Sequence, residues 1–284
     1  MESFRPPDPG SPFSGWLTLA LELCDEADAL ALAHFRRDMR IETKPDRSYV
    51  TEADQAIEAA IRSRLEAAHP DHGLVGEEYG EDRGSARLRW YIDPIDATHN
   101  YMRGIPIFGT LLALEEDGEI VLGVMSAPAL GSRWLAWRGG GAWAADALSG
   151  GVGELASARP LRVSGIARLE DAQLLYSPPG EGDTAAWAPG LEATLRTVWR
   201  SRGFGDFWSY ALVAEGAAEG MVEEGMHSWD LGPAMVILEE AGGRLTDLDG
   251  NRTIHGRGVL ASNGVLHDAL LVSLRKPPGG HESA

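Results

Sequence analysis

The chain has 284 residues, 44% of them apolar and 24% charged, a composition that excludes collagen-like, low-complexity and wholly disordered proteins. Its 43 acidic residues against 25 Lys and Arg give a net charge of −18, so nucleic acid and anionic membrane are not expected partners. A single cysteine, Cys24, excludes an internal disulfide and any multi-cysteine metal site, and fits a reducing cytoplasm.

The length suits one large domain or two moderate ones sharing a core. No run of about 18 apolar residues is present, so no membrane-spanning helix is expected. Residues 1–14, rich in proline, are expected to be a mobile tail, and residues 277–284 another. A helix is predicted from about Trp16 to Arg37, where Trp16, Leu19, Leu23, Ala27, Leu30 and His34 recur at helical spacing. Cys24 lies in it as a packed thiol. Pro45 breaks the next segment. Thr51, with Asp54 three residues on, makes a capping-box pattern that opens a second helix running to about Ala68.

From Leu74 the texture changes to short apolar runs bounded by Gly and Pro. LVGEEYG, RWYIDPID, FGTLLALEE, EIVLGVMSAP, RWLAWRGGG and GAWAA read as strands and turns. Residues 146–158 are the least structured internal stretch, and a boundary there divides an α+β part, 15–155, from an α/β part, 156–276. In the second part, strands LRVS, AQLLYS, TVWRS, GMVEEG and VLASN alternate with helices near 189–196, 206–216, 231–241 and 265–274, and RLTDLDG reads as a hairpin. Such alternation argues α/β layering.

Several motifs lead nowhere. Gly151-x-Gly153-x-x-Ala156 matches a loose dinucleotide fingerprint, but no apolar strand precedes it. Asp247-Leu248-Asp249-Gly250 has its glycine misplaced for a calcium loop and reads as a tight turn between strands. No nucleophile elbow and no His-rich zinc spacing occur.

The informative run is Trp90-Tyr91-Ile92-Asp93-Pro94-Ile95-Asp96-Ala97-Thr98, in which an apolar strand ends on two acids around a proline. Two like charges held close need cancelling, and a hard divalent cation takes oxygen ligands such as these, including the carbonyl of Ile95. A solvated turn stiffened by Pro94 is the other reading. Gly76-Glu77-Glu78 again places acids at a strand end, and Trp229-Asp230 opens a predicted helix after Glu223, Glu224 and His227. Asp230 reads equally as a helix cap. Together the three places offer the acids of a two-metal phosphate site.

These segments resemble the inositol monophosphatase superfamily of Mg²⁺-dependent phosphomonoesterases. Four motifs match in order: Lys44-x-Asp46 with Val50-Thr51-x-x-Asp54; Gly76-Glu77-Glu78; Asp93-Pro94-Ile95-Asp96-x-Thr98-x-Asn100-Tyr101; and Trp229-Asp230 with Glu240-Ala241-Gly242-Gly243. The second half is similar to the actinobacterial histidinol-phosphate phosphatases, through 124–130, Arg202-Gly203-Phe204-Gly205-Asp206-Phe207, 212–216 and Ser262-Asn263-Gly264.

The resemblance implies a layered α/β/α/β/α fold and a homodimer. It implies two or three Mg²⁺ held by Glu77, Asp93, the Ile95 carbonyl, Asp96 and Asp230. Asp54 and Thr98 would orient and deprotonate the attacking water, and the amides of Ala97 and Thr98 would hold phosphate. Asp206 and Glu223 would face the rest of the substrate, although Asp206 reads also as a helix cap. Lys44 and Asp46 would belong to a loop completing a further metal site. The expected substrate is L-histidinol phosphate. The alternatives are an inositol phosphate, a nucleoside or sugar phosphate, or a catalytically silent metal-binding relative. Two residues depart from the family pattern: Ala97 stands where glycine is usual, and His99 is also unusual. If the backbone at Ala97 has positive φ, that residue is strained.

Overall fold

The computed structural model describes residues 3–45, 49–83, 86–146, 155, 157–177, 188–256 and 258–276. Helix α1 (Pro12–His34) begins four residues before Trp16. Ser11 caps it by accepting the amide of Phe13 at 3.3 Å, and Pro12, which has no N–H to satisfy, opens the first turn. Strands β1 (Ile41–Thr43) and β2 (Tyr49–Thr51) pair antiparallel and lead into α2 (Glu52–Ala68). The expected capping box is present: the Thr51 side chain accepts the amides of Ala53 and Asp54, and Asp54 Oδ2 accepts that of Thr51 at 2.8 Å.

Eight strands form the large sheet: β3 (Gly73–Gly76), β4 (Gly80–Asp82), β5 (Leu88–Asp96), β6 (Gly109–Glu116), β7 (Glu119–Ala127), β8 (Ser132–Trp137), β9 (Ala142–Asp146) and β10 (Arg159–Pro160). Their order is β10-β9-β8-β7-β6-β5-β3-β4, antiparallel except for the pair β3 and β5. A short helix, α3 (Thr98–Met102), follows β5. The small sheet takes β11 (Gln173–Tyr176), β12 (Arg200–Arg202), β13 (Gly220–Glu224), β14 (Arg244–Asp247) and β15 (Gly258–Ser262) in the order β12-β11-β13-β15-β14. Among these run α4 (Leu191–Thr197), α5 (Asp206–Ala214), α6 (Ser228–Glu240) and α7 (His267–Arg275).

Strand alternation sorts the side chains into layers. Trp90 and Ile92 of β5 pack with Leu112 and Leu114 of β6 against the apolar faces of α1 and α2. On the other face, Tyr91, Leu111 and Ala113 meet α5 and α6, whose far sides cover Leu175, Met221 and Val259 of the small sheet. Leu174, Val222 and Leu260 point outward and are covered by Leu191 of α4 and Leu270, Leu271 and Leu274 of α7. The order is therefore α/β/α/β/α, as expected. The middle layer is tight: an added Cβ on Gly123 of β7 would lie 2.7 Å from Pro233 Cα of α6.

Three expectations are corrected. LRVS forms no strand; among the described residues the ladder there ends at Pro160. That strand, β10, pairs with β9 although it lies past the expected boundary. The expected N-terminal tail is held, because Phe4 packs edge-on against Trp137 and Trp143, with ring centroids 6.0 and 5.3 Å away. Residues 147–154 and 156, most of the expected boundary, lie outside the described residues, as do 277–284.

Candidate active site

The site gathers at the C-terminal end of β5. The ladder to β6 pairs Asp93 with Leu111 and then Asp96 with Gly109, so two residues, Pro94 and Ile95, oppose Thr110 alone. Proline brings no N–H to a ladder, and a bulge is where a strand tolerates it. The bulge puts Asp93, Ile95 and Asp96 all on the wall of one cavity of about 170 Å³.

Asp230 reaches the same place from the first turn of α6. It is not the cap of that helix but its third residue, and its Oδ2 accepts the amide of His227 at 2.7 Å. Capping and membership of the site are thus combined in one side chain. Carboxylate oxygens of Asp93, Asp96 and Asp230 lie within 4.8 Å of one another, on residues 2%, 7% and 8% exposed. Burial, then the neighbouring charges of Glu77, Asp96 and Asp230, pushes Asp93 well above the usual carboxylate range. Burial, then Asp206 and Asp230, does the same for Asp96. Burial takes Asp230 to about 7. Asp93 Oδ1 is buried with no hydrogen-bond partner among the described residues. A hard cation answers both the clustered charge and the orphaned oxygen, so these residues fit one.

Glu77 lines the same cavity. Lys44 Nζ lies 2.8 Å from Glu77 Oε1 and 2.7 Å from Glu78 Oε1, so an ammonium already bridges two acids beside the trio. Burial opposes the Lys44 charge, but its bonds to these two acids outweigh that and hold its pKa above the usual lysine value. Asp46 lies outside the described residues.

The turn that presents Glu77 has a support that sequence reasoning missed. Glu58 of α2, fully buried, accepts the amides of Glu78 at 2.7 Å and Tyr79 at 3.2 Å and pairs with Arg62 at 2.8 Å. Gly76 is glycine for this reason, since an added Cβ would meet Glu58 Oε1 at 2.0 Å. The only hint in the sequence is an acid on the α2 face that carries Asp54, one turn on.

Ala97 has φ 64 and ψ 45, the left-handed region, so the strained alternative is the one realised. Thr98 Oγ1 donates to Ile95 O at 3.0 Å. Asp54 is fully buried; Thr51 holds its Oδ2, and its Oδ1 has no partner among the described residues. Burial lifts Asp54 to about 6 against the lowering effect of Thr51. No hydrogen bond joins Asp54 to Thr98.

Gly205, not Asp206, is the cap of α5, and both have positive φ. The amide of Phe207 donates to Asp96 Oδ2 at 2.7 Å, which docks the start of α5 onto the acid cluster. Asp206 lines the cavity, with burial lifting it to about 6. Glu223, 2% exposed, sits behind it and does not line the cavity. Its Oε1 accepts the Asp206 amide at 3.3 Å and its Oε2 the Tyr210 hydroxyl at 3.0 Å. Burial, then the Asp206 charge, lifts Glu223 to about 8. Two aromatic pairs also reach the cavity: Tyr49 with His99, edge-on at 5.2 Å, and His227 stacked on Trp229 at 4.7 Å.

Five alternating layers with buried carboxylates gathered at one cleft define a layered α/β protein built around an acidic cluster that fits a hard cation. The chain belongs to the inositol monophosphatase family, whose model matches residues 14–277. It is 44% identical over 266 residues to the histidinol-phosphatase of Mycobacterium tuberculosis, covering 91% of this chain and 97% of that one. It is 43% identical over 260 residues to the histidinol-phosphatase of Streptomyces coelicolor, covering 90% and 95%. Among solved structures, extragenic suppressor protein SuhB of Bartonella henselae superposes with a TM-score of 0.83 at 28% identity, covering 93% and 99%. No helix among the described residues is long and apolar enough to cross a membrane.

Proposed function

We propose that this chain is a Mg²⁺-dependent phosphomonoesterase whose substrate is L-histidinol phosphate. The observation that carries the reaction is the trio Asp93, Asp96 and Asp230, with Asp93 Oδ1 unpartnered among the described residues. With Glu77 and the Ile95 carbonyl, these groups would hold two or three Mg²⁺. When bound, the ions would neutralise charge at the phosphate and the leaving oxygen and make a water more acidic.

The chain's own groups do the rest. Thr98 Oγ1 donates its proton to a hydrogen bond with Ile95 O and is left as an acceptor, and Asp54 Oδ1 is a second. Both would take hydrogen bonds from the attacking water, and Asp54 its proton. The water oxygen bonds to phosphorus as the ester oxygen leaves, giving inorganic phosphate and the alcohol. The amides of Ala97 and Thr98 would hold phosphate oxygens, and Lys44 and Asp46 would belong to a loop that completes a further metal site. Asp206 favours a cationic alcohol, because it faces the cavity outside the trio, with Glu223 supporting it from behind. The reading also includes a homodimer in the cytoplasm; light scattering checks the first.

The test is phosphate release, with and without Mg²⁺, from histidinol phosphate, inositol 1-phosphate, sugar phosphates and nucleoside monophosphates. A preference of roughly tenfold or more in kcat/KM for histidinol phosphate is expected. Preference for an uncharged alcohol phosphate favours inositol phosphatase activity instead. No release from any ester by Mg²⁺-loaded protein favours the silent relative.

A further inference from the structure

We infer that Thr110 is a positioning residue for the metal-holding bulge: its hydroxyl, donated to the carbonyl of Pro94, fixes the backbone that aims Asp93, Ile95 and Asp96. This rests on the cation site proposed above. Thr110 is 1% exposed and lies opposite the bulge, where the ladder shifts between Asp93 and Asp96. Its Oγ1 donates to Pro94 O at 2.8 Å. Pro94 cannot return a ladder bond, so at this point a side-chain hydroxyl does what a strand amide does elsewhere.

The neighbouring groups leave the bulge little freedom except through Thr110. Thr98 fixes the next carbonyl, Ile95 O, and Phe207 N fixes the carboxylate of Asp96. Strand β6 is itself held on its other side by the ladder to β7, in which Thr110 lies opposite Ser126. Ser126 is in turn held to Asp28 of α1 at 2.7 Å and to Arg133 at 2.9 Å. Loss of the Thr110 hydroxyl therefore takes a hydrogen bond from the carbonyl of a buried residue, and the relief available is a shift of β5 at its ligand-bearing end. Thr110 touches no reacting atom; it acts through Pro94.

The experiment compares Thr110→Val, which keeps the volume and removes the donor, with Thr110→Ser, which keeps the donor. The readouts are Mg²⁺ binding to metal-free protein by calorimetry, the Mg²⁺-induced rise in Tm, and the kcat and KM of phosphate release. Thr110→Val is expected to weaken Mg²⁺ binding roughly tenfold or more, the range of a lost supporting hydrogen bond at a metal site. KM at saturating Mg²⁺ stays near wild type, and Thr110→Ser restores binding. Thr246→Val, which removes a buried hydroxyl in the small sheet, serves as control and should lower Tm without changing Mg²⁺ binding. If Thr110→Val does not fold, Thr110→Ala gives the same comparison. Unchanged Mg²⁺ binding in the valine or alanine variant, or a serine variant as weak as either, overturns the role of Thr110. Wild-type protein that binds no Mg²⁺ overturns the cation site itself, and the inference with it.

Discussion

Glu58 holds Glu78 by its backbone: a carboxylate with no solvent exposure accepts that residue's amide at 2.7 Å. Glu77, which lines the cavity, is therefore placed by a side chain of α2 that does not line it. Glu58→Ala removes the acceptor of two partly buried amides and one partner of Arg62, whose guanidinium keeps Gly80 O. The expected loss is about 3 kcal/mol of stability, read by urea denaturation. An unchanged denaturation midpoint would show that the turn holds itself.

Ala97→Gly removes the Cβ penalty at a left-handed residue. The variant should be more stable by about 1 kcal/mol, with kcat kept or raised. Thermal unfolding and steady-state rates check it. A loss of stability would mean that the gain in unfolded-chain entropy exceeds the strain.

Asp93→Asn takes one carboxylate from a trio whose repulsion the proposed cation would offset. Phosphate release should fall by orders of magnitude, and EDTA should abolish it in the wild type. The same variant without metal should unfold at a higher temperature than metal-free wild type at neutral pH, because a buried like charge is gone. Calorimetry on both proteins separates these effects.

Asp206→Asn tests the cationic half of the substrate. A charge-assisted hydrogen bond is worth about 1.5–3 kcal/mol, so kcat/KM for histidinol phosphate should drop roughly tenfold or more. p-Nitrophenyl phosphate, which carries no cation, should be nearly unaffected. Equal losses on both would make Asp206 a structural residue.

Glu223 holds its proton to about pH 8 in the fold, whereas an unfolded glutamate releases it near 4.3. The stability this group contributes is complete below the unfolded value and is lost as pH rises through the folded one. Glu223→Gln keeps the neutral form at every pH. The metal-free variant should match wild type most nearly below about pH 4 and exceed it near about pH 9. A Tm difference independent of pH would contradict this.

What the sequence showed of the site follows from where the information lies. Asp93 and Asp96 are adjacent to a strand end, and Thr51 with Asp54 is a local capping pattern, so both were legible from neighbours alone. Glu58 and Thr110 were not. Each looks like an ordinary residue of its own helix or strand, and its importance comes from a partner 16 to 21 positions away. The alternative reading of Asp206 as the cap of α5 falls one residue late: Asp is a common cap, whereas here Gly205 takes the extended positive-φ conformation that glycine alone adopts freely. Phe4 looked like part of a tail because nothing nearby in sequence announces Trp137 and Trp143 as its receptors.

The bond from the Phe207 amide to Asp96 crosses 111 positions of the chain. A ribosome releases this protein N-terminus first, so Asp93 and Asp96 are made long before the amide and before Asp230, which complete their surroundings. During that interval the strand end carries two acids with water as their only answer, and it is free to stay ionised and hydrated. Their burial begins when α5 and α6 arrive, so the catalytic apparatus is finished among the last events of synthesis. A chain cut short before residue 206 keeps much of the large sheet's sequence yet has no means of closing the cleft. Such products would be inert by construction, and unable to release phosphate from an unintended ester.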